Sequence, residues 1–243
     1  HNRLPCWVRY PAGGILQSLA DRARSHNTNR PIPLIDTATF DDSMEKREVV
    51  ILVRIVDFLF QKAKTLFPDQ KLILYGHSMG GNIALNYIIR INHPVSALIV
   101  TSPWLKMSKE PSYPLLYLVS LLNKIAPKLT LKIPFKPDLF SHDPEVERNF
   151  INDPLTHNKI SIRLFHDMYH GGYHALRNVY KINYPFLLMH GTEDKITSHK
   201  ASENYVMNTS DRTTLKLWDG QYHELHNELI SDEVFNYIIQ WLK

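Results

Sequence analysis

Ser78 is the residue whose type and setting best suit a chemical role. It lies at the centre of Gly-His-Ser-Met-Gly at residues 76–80, between an apolar run and a helix-like run. A Gly-x-Ser-x-Gly turn between a strand and a helix forms a nucleophile elbow, which lifts the serine hydroxyl clear of the sheet. The pattern therefore predicts a catalytic serine. The competing interpretation is a glycine-rich turn that only joins the strand to the helix.

A proton acceptor and an acid follow later in the chain, as a serine nucleophile requires. An apolar strand at 186–190 leads into a loop with Glu193 and Asp194, and a strand at 213–218 leads into a loop with His223. In this architecture the order is serine, acid, histidine, and loops at the carboxyl ends of parallel strands meet in one crevice. We therefore expect Ser78 to attack an acyl carbon, His223 to carry its proton, and Asp194 to orient the imidazole.

Four neighbouring residues compete for these roles or need another explanation. His226 follows three residues after the favoured histidine and is the alternative base, while Glu193 is the alternative acid. His77 adjoins the nucleophile, but a turn of this kind directs it away from the serine. His190 ends a strand, and we expect it to be a packed or hydrogen-bonded core residue.

Five stretches of the chain, three of which contain the residues discussed above, match sequence motifs of a known family. They are, in chain order, Gly-His-Ser-Met-Gly-Gly at 76–81, Thr-Ser-Pro-Trp-Leu at 101–105, Asn-Asp-Pro-Leu at 152–155, Leu-Leu-Met-His-Gly-Thr-Glu-Asp at 187–194 and Trp-Asp-Gly-Gln-Tyr-His-Glu-Leu-His-Asn-Glu at 218–228. Together they resemble the monoacylglycerol lipase and lysophospholipase family of serine α/β-hydrolases. The resemblance implies a catalytic triad of Ser78, Asp194 and His223, a lipid-like ester substrate and no cofactor.

The first fifty residues resemble that family much less. The family usually has His-Gly-x-Gly-Glu-His-x-x-Arg-Tyr in its oxyanion loop, and here His1, Arg9 and Tyr10 keep the spacing while most residues between them differ. One oxyanion donor is expected to be the backbone N–H of Met79, the residue after the nucleophile. The resemblance implies that the other is the backbone N–H of Arg3. We expect either that strands precede this segment in a longer protein or that residues 1–50 are divergent.

The order of elements predicts an α/β-hydrolase core, with a mostly parallel sheet covered by helices on both faces. The expected strands are 31–36, 71–75, 96–101, 184–190 and 213–218, and the expected helices are 13–24, 44–66, 80–91 and 230–242. Residues 104–180 break this alternation and contain no clear strand. We expect them to form a mainly helical cap, or lid, inserted between core segments 1–103 and 181–243 and covering Ser78.

The expected cap contains three patterns of its own. Three of its aromatic residues are expected to line the substrate pocket: Phe165, Tyr169 and Tyr173. Three histidines recur at four-residue spacing: His166, His170 and His174. That spacing could suit a metal, but Gly171 and Gly172 are expected to interrupt the helix, and we expect no metal site. The apolar segment 113–122 and the lysines after it fit transient docking on a membrane or micelle, or simply a cap helix with solvated lysines.

Composition narrows the classes of function. The net charge of +4 is mild and scattered, which argues against a nucleic-acid partner. The single cysteine, Cys6, excludes an intrachain disulfide framework and a cysteine-based zinc site. We expect a cytoplasmic or peripherally membrane-associated protein, and the oligomeric state stays open. The alternatives to a lipid esterase are a general short-chain carboxylesterase or thioesterase, and a catalytically impaired binding module.

Overall fold

The structure is a computed structural model that describes residues 34–36, 48–91, 95–133, 136–179 and 182–243. The expected helix at 13–24 and the proposed oxyanion donor Arg3 lie outside the described residues. So do the first three residues of the strand expected at 31–36. Among the described residues, no helix combines the length and the apolar character needed to cross a bilayer.

The described residues contain seven strands: β1 (Leu34–Asp36), β2 (Ile73–His77), β3 (Ala97–Thr101), β4 (Thr130–Lys132), β5 (Lys159–Ser161), β6 (Phe186–Gly191) and β7 (Thr213–Trp218). Five of these described strands form a parallel sheet in the order β1-β2-β3-β6-β7. Strands β2, β3 and β6 are buried along their whole length, as a parallel sheet covered on both faces requires. The predicted α/β class is confirmed.

Helices cover both faces of this sheet. The described residues contain seven: α1 (Glu48–Leu66), α2 (Met79–Ile91), α3 (Tyr113–Ile125), α4 (Pro144–Asn152), α5 (Ile162–Arg177), α6 (His199–Val206) and α7 (Ser231–Trp241). Successive strand residues belong to opposite cores, because side chains alternate along a strand. Leu98 and Leu188 pack with α1 and α2 on one face, while Ile99 and Leu187 pack with α7 on the other.

The second strand differs from its expected bounds for a reason that bears on the site. The sequence predicts a strand at 71–75, but β2 begins at Ile73 and continues through His77. Gly76 pairs with Val100 and His77 pairs with Thr101, so the sheet register extends to the residue before Ser78. The chain therefore leaves the sheet at the serine itself, which puts the hydroxyl at the carboxyl edge of the strands.

The segment between β3 and β6 contains α3, α4 and α5, and also β4 and β5. These two strands pair antiparallel, with Leu131 opposite Ile160. The expectation that this segment has no strand was therefore wrong. Each strand has only three residues, which is too short to produce a recognisable alternation. Local caps fix the helix starts: Asp143 accepts the N–H of Glu145 at 2.8 Å before α4, and Ser161 accepts the N–H of Leu164 at 3.1 Å before α5.

Glycines 171 and 172 do not interrupt α5, contrary to the sequence-based expectation. They let the helix pack closely, since a Cβ on Gly172 would lie 2.3 Å from the carbonyl oxygen of Leu105. A buried amide completes the contact: Nδ2 of Asn82, on α2, donates to the carbonyls of Trp104 at 2.7 Å and Met168 at 2.8 Å. These contacts hold α5 against α2, the helix that follows Ser78.

Candidate active site

Ser78 lies in a strained turn between β2 and α2. Its φ is 51°, in the left-handed region that non-glycine residues rarely adopt. A Cβ on Gly76 would lie 2.6 Å from the carbonyl oxygen of Gly80, so only glycine fits there. The Ser78 N–H donates to the Thr101 carbonyl at 3.0 Å, and the Ser78 carbonyl accepts from the Trp104 N–H at 2.9 Å. These contacts hold the strained residue in place, as a nucleophile elbow requires.

The three residues expected to form a triad meet in space. Nε2 of His223 lies 2.9 Å from Oγ of Ser78, and Nδ1 of His223 lies 2.7 Å from Oδ2 of Asp194. Oδ1 of Asp194 accepts the backbone N–H groups of Ile196 at 2.7 Å and Thr197 at 2.9 Å. The arrangement can pass a proton from the hydroxyl to an imidazole that a buried carboxylate orients.

The electrostatics of the Asp194–His223 pair favour its charged forms. Burial alone would raise the pKa of Asp194, but the attraction of His223 and the hydrogen bonds from His190 and His223 outweigh it, so the pKa lies well below its ordinary value. Burial would likewise lower the pKa of His223, and Asp194 reverses that effect and raises it. The carboxylate is therefore ionised, and the imidazole next to the serine is a stronger base than an isolated histidine.

The competing acid and base lie apart from this chain of contacts. Glu193 is exposed and pairs with Lys195, whose hydrogen bond lowers the pKa of the carboxyl group. His226 is buried, and neither of its ring nitrogens has a hydrogen-bond partner among the described residues. Burial and the nearby His223 lower its pKa to about 3, so its ring is neutral.

Two more histidines, His77 and His190, contact the three expected triad residues. The sequence predicted that His190 is buried but predicted neither of these contacts. The ring of His77 lies between those of His223 and His226, with centroid distances of 4.8 and 4.7 Å, and its Nδ1 is 2.9 Å from Oγ1 of Thr101. His190 is a fully buried, hydrogen-bonded core residue, as expected. The sequence did not predict its hydrogen-bond partner: Nε2 of His190 lies 3.0 Å from Oδ2 of Asp194.

Two hydroxyl residues that the sequence did not single out also support the site. Thr197 donates its hydroxyl to Oδ2 of Asp194 at 2.8 Å. Ser102 is the other described non-glycine residue with positive φ, at 45°, and its hydroxyl donates to the backbone carbonyl of His223 at 2.7 Å. Ser102 lies within the Thr-Ser-Pro-Trp-Leu stretch, so the motif marked the position without revealing the contact.

The structure describes only one of the two expected oxyanion donors. Met79 is the first residue of α2, directly after Ser78, and the N-terminal end of that helix carries positive partial charge. Arg3 lies outside the described residues, so its role stays a prediction from the resemblance.

An apolar groove of about 260 Å³ lies between α3 and α5. Of the three aromatic residues expected to line a pocket, Phe165 and Tyr169 line this groove, while Tyr173 does not. The ring of Phe165 lies 5.8 Å from that of Trp104, whose backbone contacts Ser78. The groove is therefore connected to the Ser78 turn through Trp104, although none of the three expected triad residues lines it.

The rings of His166 and His170 on α5 pack against each other, with a centroid distance of 4.4 Å, while the polar partners of His166 and His174 differ. Nδ1 of His166 lies 3.1 Å from Asp167, and Nδ1 of His174 lies 3.1 Å from the side-chain oxygen of Asn86 on α2. Within the part of the chain that the structure describes, no three His, Cys, Asp or Glu side chains are grouped to hold a metal ion.

Comparison with known families finds one that matches most of the chain. The family described as Hydrolase_4, serine aminopeptidase S33, matches residues 47–230. The chain belongs to this family. An abhydrolase domain-containing protein of Dictyostelium discoideum is 37% identical over 185 residues, which are 74% of this chain and 20% of that protein. A putative monoglyceride lipase of Schizosaccharomyces pombe is 29% identical over 188 residues, which are 75% of this chain and 49% of that protein.

A solved structure of a monoacylglycerol lipase is also similar to this chain. The monoacylglycerol lipase of Paleococcus ferrophilus superposes with a TM-score of 0.74 at 27% identity, over 81% of this chain and 75% of that one. The resemblance to monoacylglycerol lipases seen in the sequence motifs is thereby confirmed. The chain spans about a fifth of one curated relative and about half of the other.

Proposed function

We propose that the protein is a serine hydrolase that cleaves carboxylic esters of lipid-like substrates, monoacylglycerols or lysophospholipids, through an acyl-enzyme on Ser78. The observation that carries the proposal is the hydrogen-bonded chain from Ser78 through His223 to Asp194. The apolar groove between α3 and α5 and the lipase names of two similar proteins support a lipid-like substrate.

The proposed reaction uses the geometry in two stages. His223 accepts the proton of the Ser78 hydroxyl through Nε2 as the oxygen attacks the ester carbonyl. The backbone N–H of Met79 stabilises the developing oxyanion, and Asp194 stabilises the imidazolium. His223 then returns the proton to the leaving alcohol. In the second stage His223 activates water, which releases the fatty acid and restores Ser78, so hydrolysis by this route consumes only water.

The cap contributes the lipid-binding part of the proposal. We assign residues 104–180 to a cap over Ser78, with the acyl chain in its apolar groove. Three large apolar side chains on α3 are more than two-thirds exposed: Tyr113 at 89%, Tyr117 at 75% and Ile125 at 71%. Lys124 and Lys128 lie at the end of this helix and just beyond it. An exposed apolar helix next to lysines suits transient docking on an anionic membrane or micelle surface, and makes the protein peripherally membrane-associated.

Nitrophenyl esters of short and long acyl chains test the proposed activity. The protein should turn over a long-chain ester, and Ser78→Ala should reduce kcat by about a millionfold, because a triad acts as a unit. Ser108→Ala is a suitable control, since it removes a hydroxyl from an exposed serine and leaves the triad residues and their contacts in place.

The other outcomes point to different functions. A preference for acetate or butyrate esters would indicate a general short-chain carboxylesterase, and faster turnover of an acyl thioester offered beside the nitrophenyl esters would indicate a thioesterase. Absence of turnover, together with absence of labelling by a fluorophosphonate probe, would favour a catalytically impaired binding module.

A further inference from the structure

Glu228 is a fully buried carboxylate that contacts both its own loop and a segment that is remote in sequence. The exposed fraction of its side chain is 0%. Oε1 accepts the backbone N–H of Tyr222 at 2.7 Å, and Oε2 accepts the backbone N–H of His142 at 3.0 Å. Nδ1 of His142 lies 3.1 Å from Oε1, and the Ser141 hydroxyl lies 3.3 Å from Oε2. A buried charge is expensive unless such partners satisfy it.

The hydrogen bond between Glu228 and the Tyr222 N–H lies one residue before His223, the proposed base. Tyr222 directly precedes His223, so holding its N–H fixes the backbone on the amino side of the imidazole. On the carboxyl side, Ser102 donates to the His223 carbonyl at 2.7 Å. Buried side chains therefore hold the backbone on both sides of the histidine, although neither Glu228 nor Ser102 forms a hydrogen bond with its ring.

Further contacts, beside those of Glu228, join the segment before α4 to the loop that contains His223. The Glu224 N–H donates to the Phe140 carbonyl at 2.8 Å, and the Ser141 hydroxyl donates to the Asn227 carbonyl at 2.8 Å. The ring of His142 stacks on that of Tyr222, with a centroid distance of 3.8 Å. Residues 140–142 and 222–228 thus form one hydrogen-bonded unit, with Glu228 at its buried centre.

We propose that Glu228 is a positioning residue for the proposed hydrolysis. It holds His223 at hydrogen-bond distance from Ser78 by fixing the Tyr222 peptide, and it keeps residues 141–142 of the cap on the same loop. The inference rests on the proposed function, in which His223 is the base. A small displacement of a catalytic group can reduce turnover by about a hundredfold, so a residue acting through the backbone can control the rate.

Glu228→Gln tests the proposal, because it keeps the size of the side chain and removes its charge. The amide can no longer accept from donors on both sides. We expect kcat to fall by about tenfold to a hundredfold with KM within about twofold. We also expect the low-field proton signal of His223 Nδ1–H, in the bond to Asp194, to broaden or shift in NMR spectra. Glu233→Gln, an exposed change on α7, is the matched control and should leave both readouts unchanged.

The results for the Glu228 variants either support or overturn a positioning role for Glu228. If Glu228→Gln matches the control in kcat and in the His223 signal, the proposal is overturned. If that variant does not fold, Glu228→Asp, which keeps the charge but withdraws the carboxylate, is judged by the same two readouts. Collapse of both variants would overturn a positioning role in favour of a purely structural one. If the unmodified protein hydrolyses no ester, the proposed function fails, and the His223 signal still reports whether Glu228 positions the ring.

Discussion

Among single residues, we expect the charge on Asp194 to set the pH range in which His223 acts as the proposed base. The carboxylate raises the pKa of His223 above its ordinary value. Because a base must be unprotonated, kcat/KM should fall as pH drops, with a midpoint above about 6.5. Asp194→Asn removes the charge that favours the imidazolium, so the midpoint should move to lower pH and kcat should fall by about ten-thousandfold. A pH profile of both proteins checks this, and an unmoved midpoint would contradict it.

The two histidines of the loop after β7 should respond in opposite ways to substitution. His226 is buried with both ring nitrogens unpartnered among the described residues, and its ring edge packs against His77. Phenylalanine keeps that packing and removes the unsatisfied nitrogens, so His226→Phe should keep kcat within about threefold and should not lower the thermal midpoint.

His223→Ala is the counterpart of that experiment and should reduce kcat by about ten-thousandfold or more, since it removes the proton acceptor. Steady-state kinetics on one ester compare the two variants. An active His223→Ala protein beside an inactive His226→Phe protein would show that the base was assigned to the wrong residue.

The sequence was more informative about the three expected triad residues than about the residues that contact them. Ser78, Asp194 and His223 each follow a recognisable strand, and their order in the chain is characteristic. The contacts from Ser102 and His190 depend on side-chain direction at the ends of neighbouring strands. Neither residue type has a local signature for such a contact, so only the three-dimensional arrangement reveals it.

At the scale of elements, the elbow depends on the absence of a side chain at Gly76. A Cβ there would meet backbone atoms of Gly80 and Gly81 at 2.6 to 2.9 Å. Gly76→Ala should therefore lower the free energy of unfolding by about 3 kcal/mol or more and abolish turnover.

Gly220→Ala is the comparison variant for this glycine. Its φ is 71°, but a Cβ there would meet nothing within 4 Å. It should therefore lose only about 1–2 kcal/mol, the cost of a left-handed backbone. Denaturant unfolding of both proteins measures the difference, and equal losses would contradict the close packing described for the elbow.

The strongly patterned elements of the sheet and its helices were predicted well, whereas the elements between β3 and β6 were not. The strand at 213–218 and the helix after the nucleophile follow from strong hydrophobic patterns, and the structure confirms both. The strands β4 and β5 have three residues each and depend on pairing with one another, which no local pattern encodes. The continuity of α5 through Gly171 and Gly172 depends on packing against Leu105 and Asn82. Tertiary contact therefore overrode the weak helix propensity of glycine.

At the scale of the whole molecule, the exposed face of α3 should determine binding to lipid surfaces. Ile125 is 71% exposed and does not line the groove. Ile125→Asp places a negative charge beside Lys124, so it should weaken binding to anionic vesicles by about tenfold and leave turnover of a water-soluble short-chain ester unchanged.

Ile151→Asp, at an exposed isoleucine of α4, is the matched control for docking through α3. Vesicle co-sedimentation compares the two variants with the unmodified protein. Equal weakening in both would argue against docking through α3, and unchanged binding in both would argue against docking through either helix.

Covalent labelling with a fluorophosphonate probe, followed by mass spectrometry of the labelled peptide, identifies an activated serine directly. We expect one labelled residue, Ser78, and a labelling rate that falls sharply in His223→Ala, because the serine then lacks its base. A label on another serine, or equal labelling of Ser78 in the protein with and without His223, would show that Ser78 is not a nucleophile activated by His223.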